Sequence, residues 1–137
     1  MSNKYAEYEF LAVEKKRIPD ANALCEQLKK YLEPKISKRF RNRIRSMSWY
    51  SLEEGAFWLL CLQPSRGSHF APKEFYSEFI THTLHFLKFY STTTQLVFSN
   101  DEISTDVAMR NPVTWTLTEL MECRHIPAGI AVTINDV

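Results

Sequence analysis

The sequence is poor in glycine, with three glycines among 137 residues. It therefore has little material for a glycine-built phosphate cradle, and neither the P-loop pattern nor the dinucleotide-binding fingerprint occurs. The nucleophile elbow Gly-x-Ser-x-Gly and the zinc-binding pattern His-Glu-x-x-His are also missing. These absences favour a non-enzymatic protein without a cofactor, and we expect no catalytic residues.

Long hydrophobic runs are missing as well. The longest uncharged apolar stretch, from Ala56 to Leu62, is far shorter than the roughly 20 residues that a membrane span needs. The first nine residues lack the apolar run of a signal peptide. We therefore expect a cytoplasmic protein that does not contact a membrane.

Cysteine is scarce and unpaired. Cys25, Cys61 and Cys123 are widely separated, and no Cys-x-x-Cys spacing occurs. This pattern argues against a disulfide scaffold and against a zinc site, and it is typical of buried free thiols in a reducing cytosol.

Net charge is also nearly absent, at +1, but this small total conceals a division. Residues 1–45 carry 12 basic and 6 acidic side chains, whereas residues 46–137 carry 5 basic and 10 acidic ones. The two parts of the chain therefore have opposite net charges, and each is interpreted separately.

Hydrophobic patterns and turn residues predict an alternation of strands and helices in a single domain over residues 1–137. The predicted strands cover residues 5–14, 47–50, 56–62, 92–98 and 130–134. The predicted helices cover residues 20–33, 72–90 and 117–124. The first six elements follow the order β-α-β-β-α-β, which is the ferredoxin-like split βαβ order, and a short helix and a closing strand come after them. We therefore predict an α+β protein with an antiparallel sheet. The structure of residues 99–115 is left open.

The strongest local feature is the segment 35–45, in which six of eleven residues are basic and none is acidic. Its candidate binding residues are Lys35, Lys38, Arg39, Arg41, Arg43, Arg45 and Phe40. The cations suit several phosphates of a nucleic acid, with Phe40 and either Trp49 or Tyr50 as stacking rings. They also suit a protein partner, and the more common alternative is a solvated surface or one paired with acids such as Glu33 and Glu53. The spacing of Ile36, Phe40 and Ile44 is helical, but alternating arginines leave a strand equally open.

Acidic residues form a second candidate surface. Glu53 and Glu54 lie at a predicted hairpin tip, and Asp101 and Glu102 lie in a later loop of the acidic part. They offer an acidic patch to a basic partner, although two carboxylates at a turn are more commonly just solvated.

Histidines provide weaker candidates. His82 and His85 lie three residues apart on a predicted helix, with Glu78 one turn earlier, but two histidines on one helix usually need further ligands to hold a metal. We therefore predict no metal site. An enzyme would require a cleft that joins Arg66, His69 and His125.

The opposed charges favour a protein–protein interaction module that docks by charge complementarity, such as a small cytosolic inhibitor, adaptor or toxin-neutralising (immunity) protein. The alternative is an RNA- or DNA-binding domain that uses residues 35–45. The same charge division also permits a homodimer.

Overall fold

The computed structural model describes residues 4–64, 71–90 and 94–137. These residues form a mixed α+β structure with one six-stranded sheet and five helices, which confirms the predicted class. The strands are β1 (Tyr8–Glu14), β2 (Ser48–Glu54), β3 (Phe57–Gln63), β4 (Gln95–Ser99), β5 (Pro112–Trp115) and β6 (Ile130–Ile134). The helices are α1 (Ala21–Lys35), α2 (Arg41–Arg45), α3 (Lys73–Leu87), α4 (Thr105–Met109) and α5 (Leu117–Glu122).

The strands follow one another across the sheet in the order β2-β3-β1-β4-β6-β5. Four of the five neighbouring pairs are antiparallel, and β5 pairs with β6 in parallel. The sheet therefore has one strand more than the sequence predicted, and the specific ferredoxin-like arrangement is not established. Among the described residues, β2 and β5 are the two edge strands.

The two faces of the sheet are covered differently. On the first, which we call the helix-covered face, the apolar stripe of α1 and the phenylalanines of α3 pack on leucines such as Leu11, Leu60 and Leu96. The opposite face carries a smaller buried cluster around Phe10, Leu59 and Ala108, the last of which comes from the short helix α4. Successive strand residues alternate between these faces.

Helix α1 begins as predicted, because the side chain of Asp20 accepts hydrogen bonds from the amides of Asn22 and Ala23. It ends slightly later than predicted, at Lys35. Pro34 lies in the last turn, where it removes one amide donor without interrupting the earlier bonds of the helix.

The basic segment, whose structure the sequence left open, is helical. A 3-10 turn at Lys38–Phe40 leads into α2, and Ile36 and Ile44 are buried beneath it. The four-residue apolar spacing therefore decides the structure, and the alternating arginines do not form a strand.

The β2-β3 hairpin is tighter than predicted. Strand β2 continues through Leu52, Glu53 and Glu54, which the sequence suggested as a loop, and the turn consists of Gly55 and Ala56 alone. Gly55 has a φ of 58°, a backbone conformation that two-residue hairpin turns require and that glycine adopts without strain.

Three features complete the second half of the chain. Residues 99–115 contain α4 and β5. Helix α5 has a capping box in which Thr116 and Glu119 bond each other's backbone amides, as predicted. Strand β6 has its predicted bounds. None of the helices in the described ranges has the length and apolar content needed to span a bilayer.

Candidate functional site

The six cations of the basic segment lie around the carboxyl end of α1 and along α2. We call Lys35, Lys38, Arg39, Arg41, Arg43 and Arg45 the basic cluster. Most of them contact their own protein as well as solvent, and these contacts determine what the cluster can bind.

Arg41 is bound to the end of α1. Its Nε donates to the carbonyl oxygen of Ile36 at 3.1 Å, and its Nη2 lies 3.5 Å from the carbonyl oxygen of Pro34. The last carbonyls of a helix lack partners within the helix and carry the negative end of its dipole. Arg41 therefore stabilises the end of α1, and its guanidinium is only partly available to a ligand.

Two carboxylates lie beside the basic cluster. Glu33 accepts from Nε of Arg45 at 2.7 Å. Glu78, from α3, accepts from both the amide and the hydroxyl of Ser37 at 2.8 Å. The surface around the basic cluster is consequently of mixed charge, although cations predominate.

Three cations lie over aromatic rings. The Nζ of Lys35 is 5.3 Å from the ring centre of Tyr31, and the guanidinium carbon of Arg39 is 4.5 Å from that of Phe40. The guanidinium carbon of Arg43 is 5.5 Å from the ring centre of Phe75. At exposed sites a cation–π contact is worth about 0.5–1 kcal/mol, so these contacts favour the observed side-chain positions.

The predicted stacking rings already have contacts within the protein. Phe40 is half-buried, packs edge-on against Phe75 and is covered by Arg39. Trp49 lies on the helix-covered face, where its Nε1 donates to Asn22, whereas Tyr50 points to the opposite face. Arg39 therefore occupies one face of the Phe40 ring, and Trp49 and Tyr50 lie on opposite faces of the sheet.

His82 and His85 are close, with ring centres 6.3 Å apart. Partial burial lowers the pKa of His82, and the neighbouring His85 and Lys35 lower it further. In the part of the chain that the structure describes, no three His, Cys, Asp or Glu side chains are grouped to hold a metal ion. The lowered pKa favours the neutral form of His82, which lies near Lys35 of the basic cluster.

The four acidic candidates contact different parts of the molecule. Glu53 pairs with Lys15 at 2.7 Å, Glu54 accepts from the hydroxyl of Thr105 at 3.3 Å, and Asp101 accepts from the hydroxyl of Tyr8 at 2.9 Å. Glu102 is exposed on the short loop after Asp101. Because Glu53 and Glu54 are successive residues of one strand, they point to opposite faces.

The enzyme hypothesis involved Arg66, His69 and His125. Arg66 and His69 lie outside the described residues. His125 is exposed, and its ring lies 4.8 Å from that of Tyr5.

Sequence reasoning missed one buried polar pair. Glu9 is 7% exposed and accepts a hydrogen bond from the hydroxyl of Tyr76 on α3. Burial raises the pKa of Glu9 to about 7, and the Tyr76 hydroxyl opposes this rise. Burial and the nearby Glu9 raise the pKa of Tyr76. The only signal was that Glu9 shares the strand face of Leu11 and Val13, which alternation predicts to be buried.

Tyr76 also lines a cavity of about 230 Å³ between α3 and α5, with Lys73 and Arg124 among the other lining residues.

The chain has been compared with family models, curated proteins and solved structures. No family model matches the chain, and neither a curated protein nor a solved structure shows significant similarity to it.

Proposed function

We propose that this chain is a non-enzymatic protein–protein interaction module, such as a small cytosolic inhibitor, adaptor or toxin-neutralising protein. It docks on an acidic protein partner through the basic cluster. The observation that supports this proposal best is that the cations of the cluster are held in place by their own protein while several of them remain exposed.

The held positions favour binding of a specific partner. Immobilising a long side chain at an interface costs roughly 0.5–1.5 kcal/mol, and this cost is smaller when the side chain is already restricted. Lys35, Arg39 and Arg45 are all exposed and each has an intramolecular contact that restricts it. A complementary acidic surface therefore meets charges whose positions are largely set before binding.

The neighbouring groups favour a protein over a nucleic acid. Glu33 and Glu78 place negative charge within the cluster, where phosphates are repelled but the donors of a protein partner are accommodated. The ring of Phe40, which base stacking would need, is covered by Arg39. The alternative is that residues 35–45 bind RNA or DNA, and the experiments must distinguish this from binding of a protein.

The experiment is affinity capture from a native lysate, followed by mass spectrometry, with the wild type and two charge-reversal variants. Lys38→Glu/Arg39→Glu changes the exposed 3-10 turn of the cluster. The matched control, Lys16→Glu/Arg17→Glu, makes the same change in the other 3-10 turn, just before α1. Since α1 has 15 residues, about 20 Å of helix separates the two turns.

We expect the wild type and the control variant to retain the same acidic protein, and the cluster variant to lose it. Exposed interface charges act mainly on the association rate, so the loss should appear as slower binding that depends on salt. If both variants retain the protein equally, or both lose it equally, the basic cluster is not its docking surface. Nuclease treatment of the lysate provides the other test, because capture that disappears with nucleic acid contradicts direct protein docking.

A further inference from the structure

Strand β2 exposes a free edge of the sheet. In the described part of the chain it pairs only with β3, and five of its seven residues are exposed. Tyr50 and Leu52 are 39% and 44% exposed, although both are large and apolar. An exposed edge strand with apolar side chains is a template for pairing with another strand.

The register of the neighbouring strands shows which backbone groups of β2 are free. The amide of Lys15, at the end of β1, donates to the carbonyl oxygen of Ala56 at 2.9 Å. Bonding direction alternates along an antiparallel strand, so residues at even positions of β3 bond β1 and those at odd positions bond β2.

The β2 partners of those odd positions are Ser48, Tyr50, Leu52 and Glu54. Their amides and carbonyls therefore point toward β3. The residues between them, Trp49, Ser51 and Glu53, direct their amides and carbonyls to the free edge.

We propose that a second copy of this chain pairs with this edge, β2 against β2, antiparallel and around a two-fold axis at Ser51. In this register Ser51 lies opposite Ser51 of the second copy, and Trp49 lies opposite Glu53. All three outward-bonding residues of each strand then exchange hydrogen bonds with their counterparts.

The same register pairs the exposed apolar side chains. Tyr50 of each copy lies opposite Leu52 of the other, on the same face of the joined sheet. Pairs of residues that do not exchange hydrogen bonds have the closer Cα atoms in an antiparallel ladder, so their side chains contact each other well. Two Tyr–Leu contacts form, and water is removed from all four side chains.

Charge complementarity identifies the occupant as a second copy in this orientation. Strand β2 begins just after the basic helix α2 and ends at Glu53 and Glu54. Antiparallel pairing places the acidic end of each copy beside the basic end of the other, whereas parallel pairing aligns like charges. Glu53 of one copy also approaches Lys29 of the other, whose Nζ lies 5.8 Å from the ring centre of Trp49.

The contact involves seven residues on each side and is therefore at the small end of specific interfaces. Dimerisation is consequently expected to depend on protein concentration.

A cysteine scan tests the two-fold register. In hydrogen-bonded antiparallel pairs the Cα atoms are about 5.5 Å apart, within the range that a disulfide bridges. Ser51→Cys, made in a Cys123→Ser background, should therefore form a disulfide-linked dimer on mild oxidation. The matched control, Ser48→Cys, lies six residues from its counterpart, about 20 Å away, and should stay monomeric. Equal linking of the two variants, or no linking of either, would overturn the proposal.

A charge exchange tests the pairing independently. Lys29→Glu and Glu53→Lys should each weaken self-association, because each homodimer contains two like-charge contacts. Mixed together, the two variants restore both opposite-charge contacts, so sedimentation velocity should show a mixed dimer at concentrations where each variant alone is monomeric. If the mixture stays monomeric while the wild type dimerises, or if each variant alone dimerises like the wild type, the proposed register is wrong.

Discussion

The buried carboxyl of Glu9 makes stability depend on pH in a direction opposite to that of most carboxylates. In the folded protein, burial raises its pKa from 4.5 to about 7. Between these two values the folded chain keeps a proton that the unfolded chain has released. The contribution of Glu9 to the free energy of unfolding is therefore fully present below pH 4.5. It falls as the pH rises from 4.5 to about 7, and it changes no further above pH 7.

The size of the effect follows from the two pKa values. Each pH unit between them contributes about 1.4 kcal/mol. The range from 4.5 to about 7 therefore corresponds to about 3 kcal/mol, since Glu9 is buried and solvent screening is small. This is a large share of the 5–15 kcal/mol that is typical of a whole domain.

The assay compares urea unfolding of the wild type and Glu9→Gln from pH 4 to pH 8. The variant keeps an acceptor for the Tyr76 hydroxyl but does not titrate. At pH 4 the two proteins should have similar stability, and at pH 8 the variant should be more stable by about 3 kcal/mol. With a slope of about 2 kcal/mol per molar urea, its midpoint then lies about 1.5 M higher.

Glu26→Gln removes an exposed carboxylate of the same type and serves as the control. It should follow the wild-type dependence on pH. If the wild type and Glu9→Gln show parallel curves from pH 4 to pH 8, the stated environment of Glu9 is refuted.

Three further predictions concern stability. Tyr76→Phe should lower the free energy of unfolding by about 1–3 kcal/mol, because it leaves the buried Glu9 carboxyl without its donor. It should also move the loss of stability caused by ionisation of Glu9 to higher pH. Urea unfolding curves identical to those of the wild type across the pH series would contradict this prediction. Asp20→Ala should cost about 1 kcal/mol by removing the cap of α1, whereas Asp20→Asn should retain most of it, as chemical denaturation can show. Leu28→Ala, in the fully buried stripe of α1, should cost about 2–5 kcal/mol in the same assay, and a loss below 1 kcal/mol would mean that this stripe is not core.

Local signals predicted most of the helices and strands. The spacing of Leu24, Leu28 and Leu32 predicted α1, and the capping box at Thr116 predicted α5; both are confirmed. These signals lie within a few residues of the element that they specify, so the sequence displays them directly.

Elements that depend on distant partners could not be predicted. Strand β5 pairs in parallel with β6, although α5 lies between them in the chain. No local sequence pattern predicts this pairing. The polar residues at the end of β2 predict a loop, but hydrogen bonding to β3 extends the strand to Glu54. The contact between Glu9 and Tyr76 joins residues 67 positions apart, so the sequence could predict the burial of Glu9 but not its partner.

The candidate site was predictable in composition but not in geometry. The sequence located all six cations of the basic cluster, and the helical spacing of Ile36 and Ile44 was visible in it. The carboxylates that accompany the cluster, above all Glu78 of α3, come from other elements and are brought there only by folding.

The most direct test of the basic cluster as a protein-docking surface needs no knowledge of the partner. Generic single- and double-stranded oligonucleotides are titrated with the wild type at low salt and then at increasing salt. We expect weak binding or none, because carboxylates interrupt the cluster and its aromatic ring is covered. Tight binding with a steep salt dependence that Arg39→Ala/Arg41→Ala/Arg43→Ala flattens would show that the cluster binds phosphates, and would contradict the proposed function.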